Sequence, residues 1–536
     1  MMLDLVRWLR HFLWGSDRRI ALFFFCCYFL LQCIFLSSYG ATWDEPLHRN
    51  WGKIFLVYLT HGQPTDLLRL MPGGGIYYSP LYYALSYLLS ELLLRTTHLQ
   101  LYEASHLINL LVGSGVVGGM YLLGRCVFTR RKDAWIPVLF LIGFPQFIAH
   151  SHYNPKDIPL LFAVLVFSIV WLRALRARSR TLHYLAAFLF GAAIAMKITA
   201  ILVLPAVLIS GFSALSHSSQ TSHHHWIRRI LSVFSHRTND RILSDYSVKS
   251  IVLFIITTLI LTALGLFIFW PSAWFHPSII IESFAFFTSP TFWPGKELYF
   301  GTLYSGVDLP WHYIPFSYLV AMPCVMILSF IVGLRSSRTM IDPSQRIFFL
   351  LGIAVPLLLS IKPGIVRYDG MRQFFFILPF IVVFAAAGLS SILDRISPRF
   401  AVVILLLVIG SLFHEIVMLH PYEGSYRNEL ARFIWPKQME QQFEIEYWGP
   451  TYQEGVAWLN DHASLNAEVC VPIAGALLSW YDIRSDLAFG CSKHSSYLMY
   501  FTRYREPDTL KAASLVPVLT IQRIGATLLR LYSLNK

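Results

Sequence analysis

The chain has 536 residues, of which 56% are hydrophobic and 14% charged, and its mean hydropathy is +0.55. A soluble domain carries about 25% charged residues, so composition excludes a soluble globular protein and predicts a chain that crosses a membrane many times. The formal net charge is +13. In a membrane protein such an excess collects as Lys and Arg in cytoplasmic loops, and no nucleic-acid partner is expected from it.

The first apolar run, 20–39, is long enough to span and has no small-residue cleavage site, so it predicts a retained helix rather than a signal peptide. Directly after it, Ala41-Thr-Trp-Asp-Glu-Pro-Leu-His48 sets Asp44 and Glu45 side by side at the bilayer surface. Two adjacent carboxylates there suit a general base with an orienting partner. An acidic turn that caps the helix entered at Pro46 accounts for them equally. Further runs at 104–124, 134–150, 158–175, 182–213, 249–270, 313–334, 346–361, 374–393 and 399–418 read as spans. The 182–213 run is too long for one helix at about 20 residues per span. Lys197 lies near its middle and Pro205 further on, so two short helices meeting near Lys197 are predicted, eleven spans in all.

Ile76 to Leu94, rich in Tyr, is ambiguous. As a span it would put the basic segments Arg125–Lys132 and Arg173–Arg180 outside. Lying along the interface, it puts both inside, together with Arg7, Arg10, Arg18, Arg19, the 214–248 loop, Arg335–Arg338 and Asp394–Arg399. Charge asymmetry favours the second arrangement, with a further amphipathic stretch, Leu47–Leu59, beside it. The N-terminus is then cytoplasmic. The loops around Asp44 and Asp157, 271–312, 362–373 and everything from His420 onward face outward. His223, His224 and His225 fall in the 214–248 loop, where a solvated cytoplasmic segment is expected over a metal site. From His420 the chain turns polar. Gln453–His462 reads as a helix, and Glu468–Ile473, Tyr497–Arg503 and Leu515–Gln522 as strands. The fold class predicted is an α-helical polytopic membrane domain over 1–419, with juxtamembrane helices in its first outer loop, and a small extracytoplasmic α/β domain over 420–536. No spacing among the seven cysteines reads as a zinc site. Cys470 and Cys491 either pair outside the cell membrane or remain two buried thiols.

Several candidates share the outward face. In His152-Tyr-Asn-Pro-Lys-Asp157 the turn sets Lys156 beside Asp157. Asp157 caps the next span, and with Asn154 and Lys156 it offers a grip for a phosphate or sugar hydroxyl. Lys197, amid apolar sequence, is read as functional in preference to a snorkelling lysine. Arg372, in Arg367-Tyr-Asp-Gly-Met-Arg372, suits a phosphate through two parallel hydrogen bonds or else a lipid headgroup, and Lys362 adds to that patch. His312, within Leu309–Pro315, and His48, closing the first motif, complete the substrate-binding candidates. Two acidic groups and several cations near the membrane plane suit a lipid-linked phosphosugar. Nucleotide sugars are cytoplasmic, so an outward-facing transferase needs a donor carried across on a lipid. The reaction is then displacement at the anomeric carbon, with a carboxylate taking the acceptor's proton and cations stabilising the departing phosphate.

These residues, in this order, resemble the polyprenyl-phosphate-sugar-dependent glycosyltransferases of the C-type membrane fold, in particular the protein O-mannosyltransferase and lipid A aminoarabinose transferase group. The matching features are Trp43-Asp44-Glu45, Asn154-Pro-Lys-Asp157, Met196-Lys-Ile-Thr199, Pro310-Trp-His-Tyr313, and Tyr368–Phe375 leading into Ile377-Leu-Pro379. His420-Pro-Tyr-Glu423, Asn428-Glu-Leu430 and Tyr447-Trp-Gly449 are similar to a bacterial subgroup with an outer C-terminal domain. The resemblance runs from about residue 20 to 465. It implies two juxtamembrane helices in the first outer loop, inversion at the anomeric carbon and residence in a bacterial inner membrane. Asp44, with Glu45 beside it, falls at the base position, Asp157 at the second acidic position, and Lys197 and Arg372 among the phosphate-binding cations. The implied partners are a polyprenyl-phosphate-linked donor, membrane lipids and a lipid, glycan or protein acceptor. No cofactor and no catalytic metal are expected, although the oligosaccharyltransferase branch of the fold holds a divalent ion on carboxylates. The alternative function is a transporter or flippase of a lipid-linked or small anionic substrate, which predicts ionisable residues at the midplane and paired repeats. A non-enzymatic scaffold leaves Asp44, Asp157 and Lys197 unexplained.

Overall fold

Each apolar run forms a helix, because in lipid only intrahelical bonding satisfies the backbone. The computed structural model describes residues 15–61, 71–216, 248–290, 292–437, 439–504 and 515–534. Arg7, Arg10 and the His223–His225 triplet lie outside these residues. The helices, in chain order, are α1 (Asp17–Ile34), α2 (Asp44–His61), α3 (Leu81–Thr96), α4 (Leu101–Val127), α5 (Ile136–Ile142), α6 (Pro145–Tyr153), α7 (Asp157–Ala177), α8 (Arg180–Met196), α9 (Leu204–Ser216), α10 (Val248–Ile268), α11 (Ser278–Thr288), α12 (Tyr313–Ala321), α13 (Cys324–Met340), α14 (Pro343–Ser360), α15 (Leu378–Leu393), α16 (Pro398–Leu419) and α17 (Tyr452–His462). Helical turns of three to eight residues lie between several of them. Among the described residues six helices are long and apolar enough to cross a membrane, or up to eight if the bent pairs α5–α6 (67°) and α12–α13 (113°) each count as one span. The chain is a multi-pass membrane protein.

The predicted break at Lys197 is present. Lys197 is extended (φ −158°, ψ 126°) and separates α8 from a short 3₁₀ turn, Ile198–Val203, that leads into α9. Pro205 does not make the break. It falls in the first turn of α9, where its missing N–H has no intrahelical partner to lose. Elsewhere small residues let backbones approach. A Cβ on Gly333 in α13 would stand 1.8 Å from the Phe384 carbonyl of α15, and one on Gly388 1.8 Å from the Ser329 carbonyl.

The segment between α1 and α4 holds two helices, α2 and α3, packed together. Arg49 of α2 donates to Ser90 Oγ of α3 at 2.6 Å and pairs with Glu91. Tyr83, Ala84 and Ser90 face inward, while Leu85, Leu88, Leu89 and Leu92 form an exposed apolar stripe.

Among the described residues the C-terminal region carries five strands: β3 (Glu468–Cys470), β4 (Ala488–Phe489), β5 (Tyr497–Phe501), β6 (Pro517–Arg523) and β7 (Ala526–Ser533), after a hairpin of β1 (Lys296–Tyr299) and β2 (Thr302–Ser305) between α11 and α12. Their order is β4-β3-β5-β7-β6. β3 runs parallel to β4 and β5, and β7 antiparallel to β5 and β6. The predicted strands are shorter than expected, and β4 and β7 are additions. β4 is only two residues, and β7, buried over most of its length, lacks the alternation that marks a half-exposed strand. Cys470 and Cys491 form a disulfide across 21 residues of sequence, which settles the alternative left open above. Replacing both with Ser is expected to destabilise this region by about 3 kcal/mol, measured as faster limited proteolysis of the C-terminal part. An unchanged rate would show that the sheet needs no staple.

Candidate functional site

The start of α2 is set by the C-terminal region. Trp43 N donates to the Trp448 carbonyl at 2.8 Å, and Asp44 opens the helix one residue later. Glu45 and Asp44 then diverge. Glu45 is buried and accepts from Thr42 N (2.7 Å) and Thr42 Oγ1 (3.0 Å), with His106 Nε2 at 3.0 Å. It holds the helix entry, as a capping carboxylate does. Asp44 points the other way, into a cluster of cations. Its Oδ2 lies 2.8 Å from Arg372 Nη2 and 3.6 Å from Lys156 Nζ.

The second acidic residue meets the same cations. Asp157, at the first turn of α7, takes Lys197 Nζ on Oδ1 at 2.7 Å and Arg372 Nε on Oδ2 at 3.2 Å. Asn154 builds the turn: its Oδ1 accepts from Lys156 N (3.2 Å) and Asp157 N (2.9 Å), and its Nδ2 donates to Asp157 Oδ2 at 3.1 Å. Arg372 is thus the hub. It bridges Asp44 and Asp157, pairs with Asp369 Oδ2 through Nη1 at 2.8 Å, and lies over the Trp448 ring at 4.4 Å. Lys156 sits 5.7 Å over Tyr78. Asp44, at 26% side-chain exposure, is the most open member; Arg372 and Lys197 are almost completely covered.

Electrostatics follow from this packing. Burial pushes the Asp44 carboxyl up, but Arg372 and then Lys156 outweigh it and hold the group well below the ordinary carboxylate range, so it is ionised. Lys156 moves down to about 8, through burial first and then the Arg372 charge, against the pull of Asp44 and Asp157. His48, on the Asp44 face of α2, is pushed down to about 3 by burial and by Lys156 and is neutral. Neither ring nitrogen of His48 has a hydrogen-bond partner. It lines a narrow cleft of about 20 Å³ with Glu45, Arg49, Tyr83, Asn109 and His152.

Of the residues singled out in the sequence, Asp44, Asn154, Lys156, Asp157, Lys197 and Arg372 come together here. His312 does not join them: its Nδ1 bonds the Tyr299 hydroxyl at 2.6 Å. Arg367 is committed to the carbonyls of Ser360, Leu309 and Lys362. Sequence reasoning passed over Asp369, Glu297, Glu444, Arg427 and Arg503. With Arg372, Tyr313 and Tyr447, all of these except Arg503 line a cavity of about 50 Å³. Arg503 Nη2 binds Asp369 Oδ1 at 2.9 Å. Burial first, then the Asp369 charge beside Glu297 and the Glu297 charge beside Glu444, push both groups above the ordinary carboxylate range. The one sequence signal for this second cluster was Asp369, inside a motif that already drew attention to Arg372.

Residues 84–235 match the family model described as dolichyl-phosphate-mannose-protein mannosyltransferase. The match contains Asn154–Asp157 and Lys197, and it bears out the resemblance read from the order of the motifs. No curated protein matches the sequence. Among solved structures the chain is similar to ArnT from Cupriavidus metallidurans, at 12% identity over 96% of this chain and 97% of that one, with a TM-score of 0.49; that structure was solved in the apo state and bound to undecaprenyl phosphate. It is also similar to the Archaeoglobus fulgidus oligosaccharyltransferase, at 12% identity over 79% of this chain and 61% of that one, with a TM-score of 0.39.

Proposed function

We propose that the chain is an inverting glycosyltransferase that moves a sugar from a polyprenyl-phosphate-linked donor to an acceptor on the extracytoplasmic face of the membrane. One observation carries this reading: an ionised, partly open carboxylate, Asp44, stands beside two buried cations, Lys156 and Arg372, and Arg372 meets a third, Lys197, on Asp157. Asp44 accepts the acceptor hydroxyl's proton as its oxygen attacks the anomeric carbon. The bond from that carbon to the phosphate oxygen breaks, and the phosphate leaves with the electron pair. The cations meet the charge that grows on it, without reorganising. Asn154 and Asp157 position Lys156 and Lys197; Glu45 holds the start of the helix that carries Asp44.

A divalent ion held jointly by Asp44 and Asp157 does not fit this arrangement. Arg372 already bridges both carboxylates at 2.8 and 3.2 Å, and Lys197 takes the remaining oxygen of Asp157. The reading therefore assigns phosphate stabilisation to fixed side chains and needs no catalytic metal.

The topology proposed is eleven spans, a cytoplasmic N-terminus and an outward C-terminal domain from about residue 420, in a bacterial inner membrane. The Cys470–Cys491 disulfide supports an oxidising compartment for that domain. The leucine stripe of α3 supports a helix lying in the interface.

The test is transfer in liposomes carrying the purified protein, with radiolabelled polyprenyl-phosphate sugars and crude membrane acceptors. Label reaching an acceptor supports the reading and names the sugar. Label crossing the bilayer without transfer would replace it with a flippase. The same assay checks Lys156. Its ammonium is charged below about pH 8 and neutral above, so kcat/KM for the donor is expected to fall as pH rises through 8. In Lys156→Arg, whose cation does not titrate there, the fall should vanish. A parallel fall in both proteins would assign it to another group.

A further inference from the structure

Glu297 of β1, Asp369 before α15, and Glu444 in the segment joining the last span to the C-terminal sheet are remote in sequence. Each offers a carboxylate oxygen to one point, and these oxygens lie within 4.8 Å of one another. All three residues are more than nine-tenths buried. Two of them are held in place by ordinary partners. Glu297 accepts from the Tyr313 hydroxyl at 2.8 Å and from Asp369 N at 2.9 Å. Asp369 meets Arg372 and Arg503.

Glu444 differs. Neither of its carboxylate oxygens accepts a hydrogen bond, and the nearest cation, Arg503 Nε, is 3.9 Å away. Arg427, which lines the cavity, donates to the backbone carbonyls of Tyr426 and Glu444. Arg372 is shared with Asp44 and Asp157, and Arg503, which also donates to the Tyr447 carbonyl at 2.8 Å, lies within 4 Å of each of the three carboxylates among the described residues. A buried carboxylate that accepts no hydrogen bond and has its nearest cation at 3.9 Å is costly, and here it faces two others across a small cavity.

We propose that Glu297, Asp369 and Glu444 bind a divalent cation of the oxygen-ligated class: calcium, magnesium or manganese. The donor set is all carboxylate, which suits these hard ions and not zinc or copper. The bound ion ties the outer-loop hairpin and the C-terminal linker to the segment that carries Arg372. Through Asp369 it sets the guanidinium that bridges Asp44 and Asp157, but it touches no reacting atom. The proposal rests on this geometry alone and stands whether or not the chain transfers sugar.

The experiment uses the full-length protein in detergent, stripped with chelator. Mn²⁺ binding is read by electron paramagnetic resonance and Ca²⁺ binding by equilibrium dialysis with ⁴⁵Ca²⁺, with Mg²⁺ as competitor. Thermal unfolding is followed with and without each ion. One ion per chain is expected, with a rise in the unfolding midpoint. Affinity should fall at least tenfold in Glu444→Gln and in Glu297→Gln, and stay unchanged in Asp44→Asn. Size-exclusion profiles show whether each variant is folded; if one Gln variant misfolds, the other and the wild-type midpoint shift decide. No saturable binding of any of the three ions by wild type would overturn the proposal. So would binding that survives both Gln substitutions, or binding lost in Asp44→Asn, which would place the ion at the other carboxylates. Glu444→Gln more stable than wild type, with no ion response in either, would mean a proton shared between Glu297 and Glu444.

Discussion

Asp44→Asn protein is expected to transfer sugar about 10²–10⁴ times more slowly than wild type, the range that one positioned general base contributes. The substitution changes one atom in kind and hardly any in size. The amide oxygen still accepts from Arg372, so the packing of α2 against Trp448 survives, and the protein should reach the membrane in normal amount. An amide cannot take a proton from the acceptor. Donor binding should change little or tighten, because a negative charge near the incoming phosphate has been removed. The loss is therefore expected in kcat. Glu45→Gln gives the contrast. Glu45 faces Thr42 and His106, so its replacement should lower stability while folded protein keeps most of its kcat. If Asp44→Asn kept wild-type kcat in reconstituted liposomes, the proton would have another acceptor and the mechanism above would fail.

The second large effect concerns the Asp157–Lys197 pair. Both side chains are almost fully covered, at 1% and 4% exposure, and their atoms meet at 2.7 Å. Removing one partner of such a pair leaves a buried charge and costs roughly 3–5 kcal/mol. Lys197→Met should reach the lower end of that range, because Arg372 and Asn154 remain on Asp157. Adding Asp157→Asn to Lys197→Met should recover part of the loss, since the carboxylate that lost its closest cation is then neutral. That is a coupling a double-mutant cycle reads directly. Recovery of stability without recovery of transfer would separate folding from phosphate binding. An unfolding midpoint unmoved by Lys197→Met would mean that the ammonium contributes nothing net in place.

Both predictions rest on residues that sequence reasoning could single out, for a shared reason. Asp44, Asp157, Lys197 and Arg372 are charges in or beside apolar runs, where transfer energetics make a charge conspicuous. Asn154 and Lys156 were visible as parts of a turn next to such a run. The roles were less legible than the positions. Asp44 and Glu45 are neighbours in sequence, and nothing local says which one faces the cations. The helix that starts there turns them apart, and Trp448, some 400 residues on, fixes that start. His312 drew attention through its neighbours Trp311 and Tyr313, yet packing turns it to Tyr299.

What the sequence by itself determined is the set of membrane-seeking segments, the interruption at Lys197 and the polar C-terminal region. These follow from interactions within one stretch of about 20 residues: the transfer of apolar side chains into lipid and the intrahelical bonding that lipid enforces. Only the tertiary structure decided that Arg372 joins Asp44, 328 residues away, and that Arg503 joins Asp369 across 134. The same holds for the meeting of Glu297, Asp369 and Glu444, and for the placing of Cys491 against Cys470. Such contacts leave no periodic trace, because each depends on where whole helices and the C-terminal sheet come to rest. A buried charge signals that it needs a partner; which partner it finds is a property of the packed molecule.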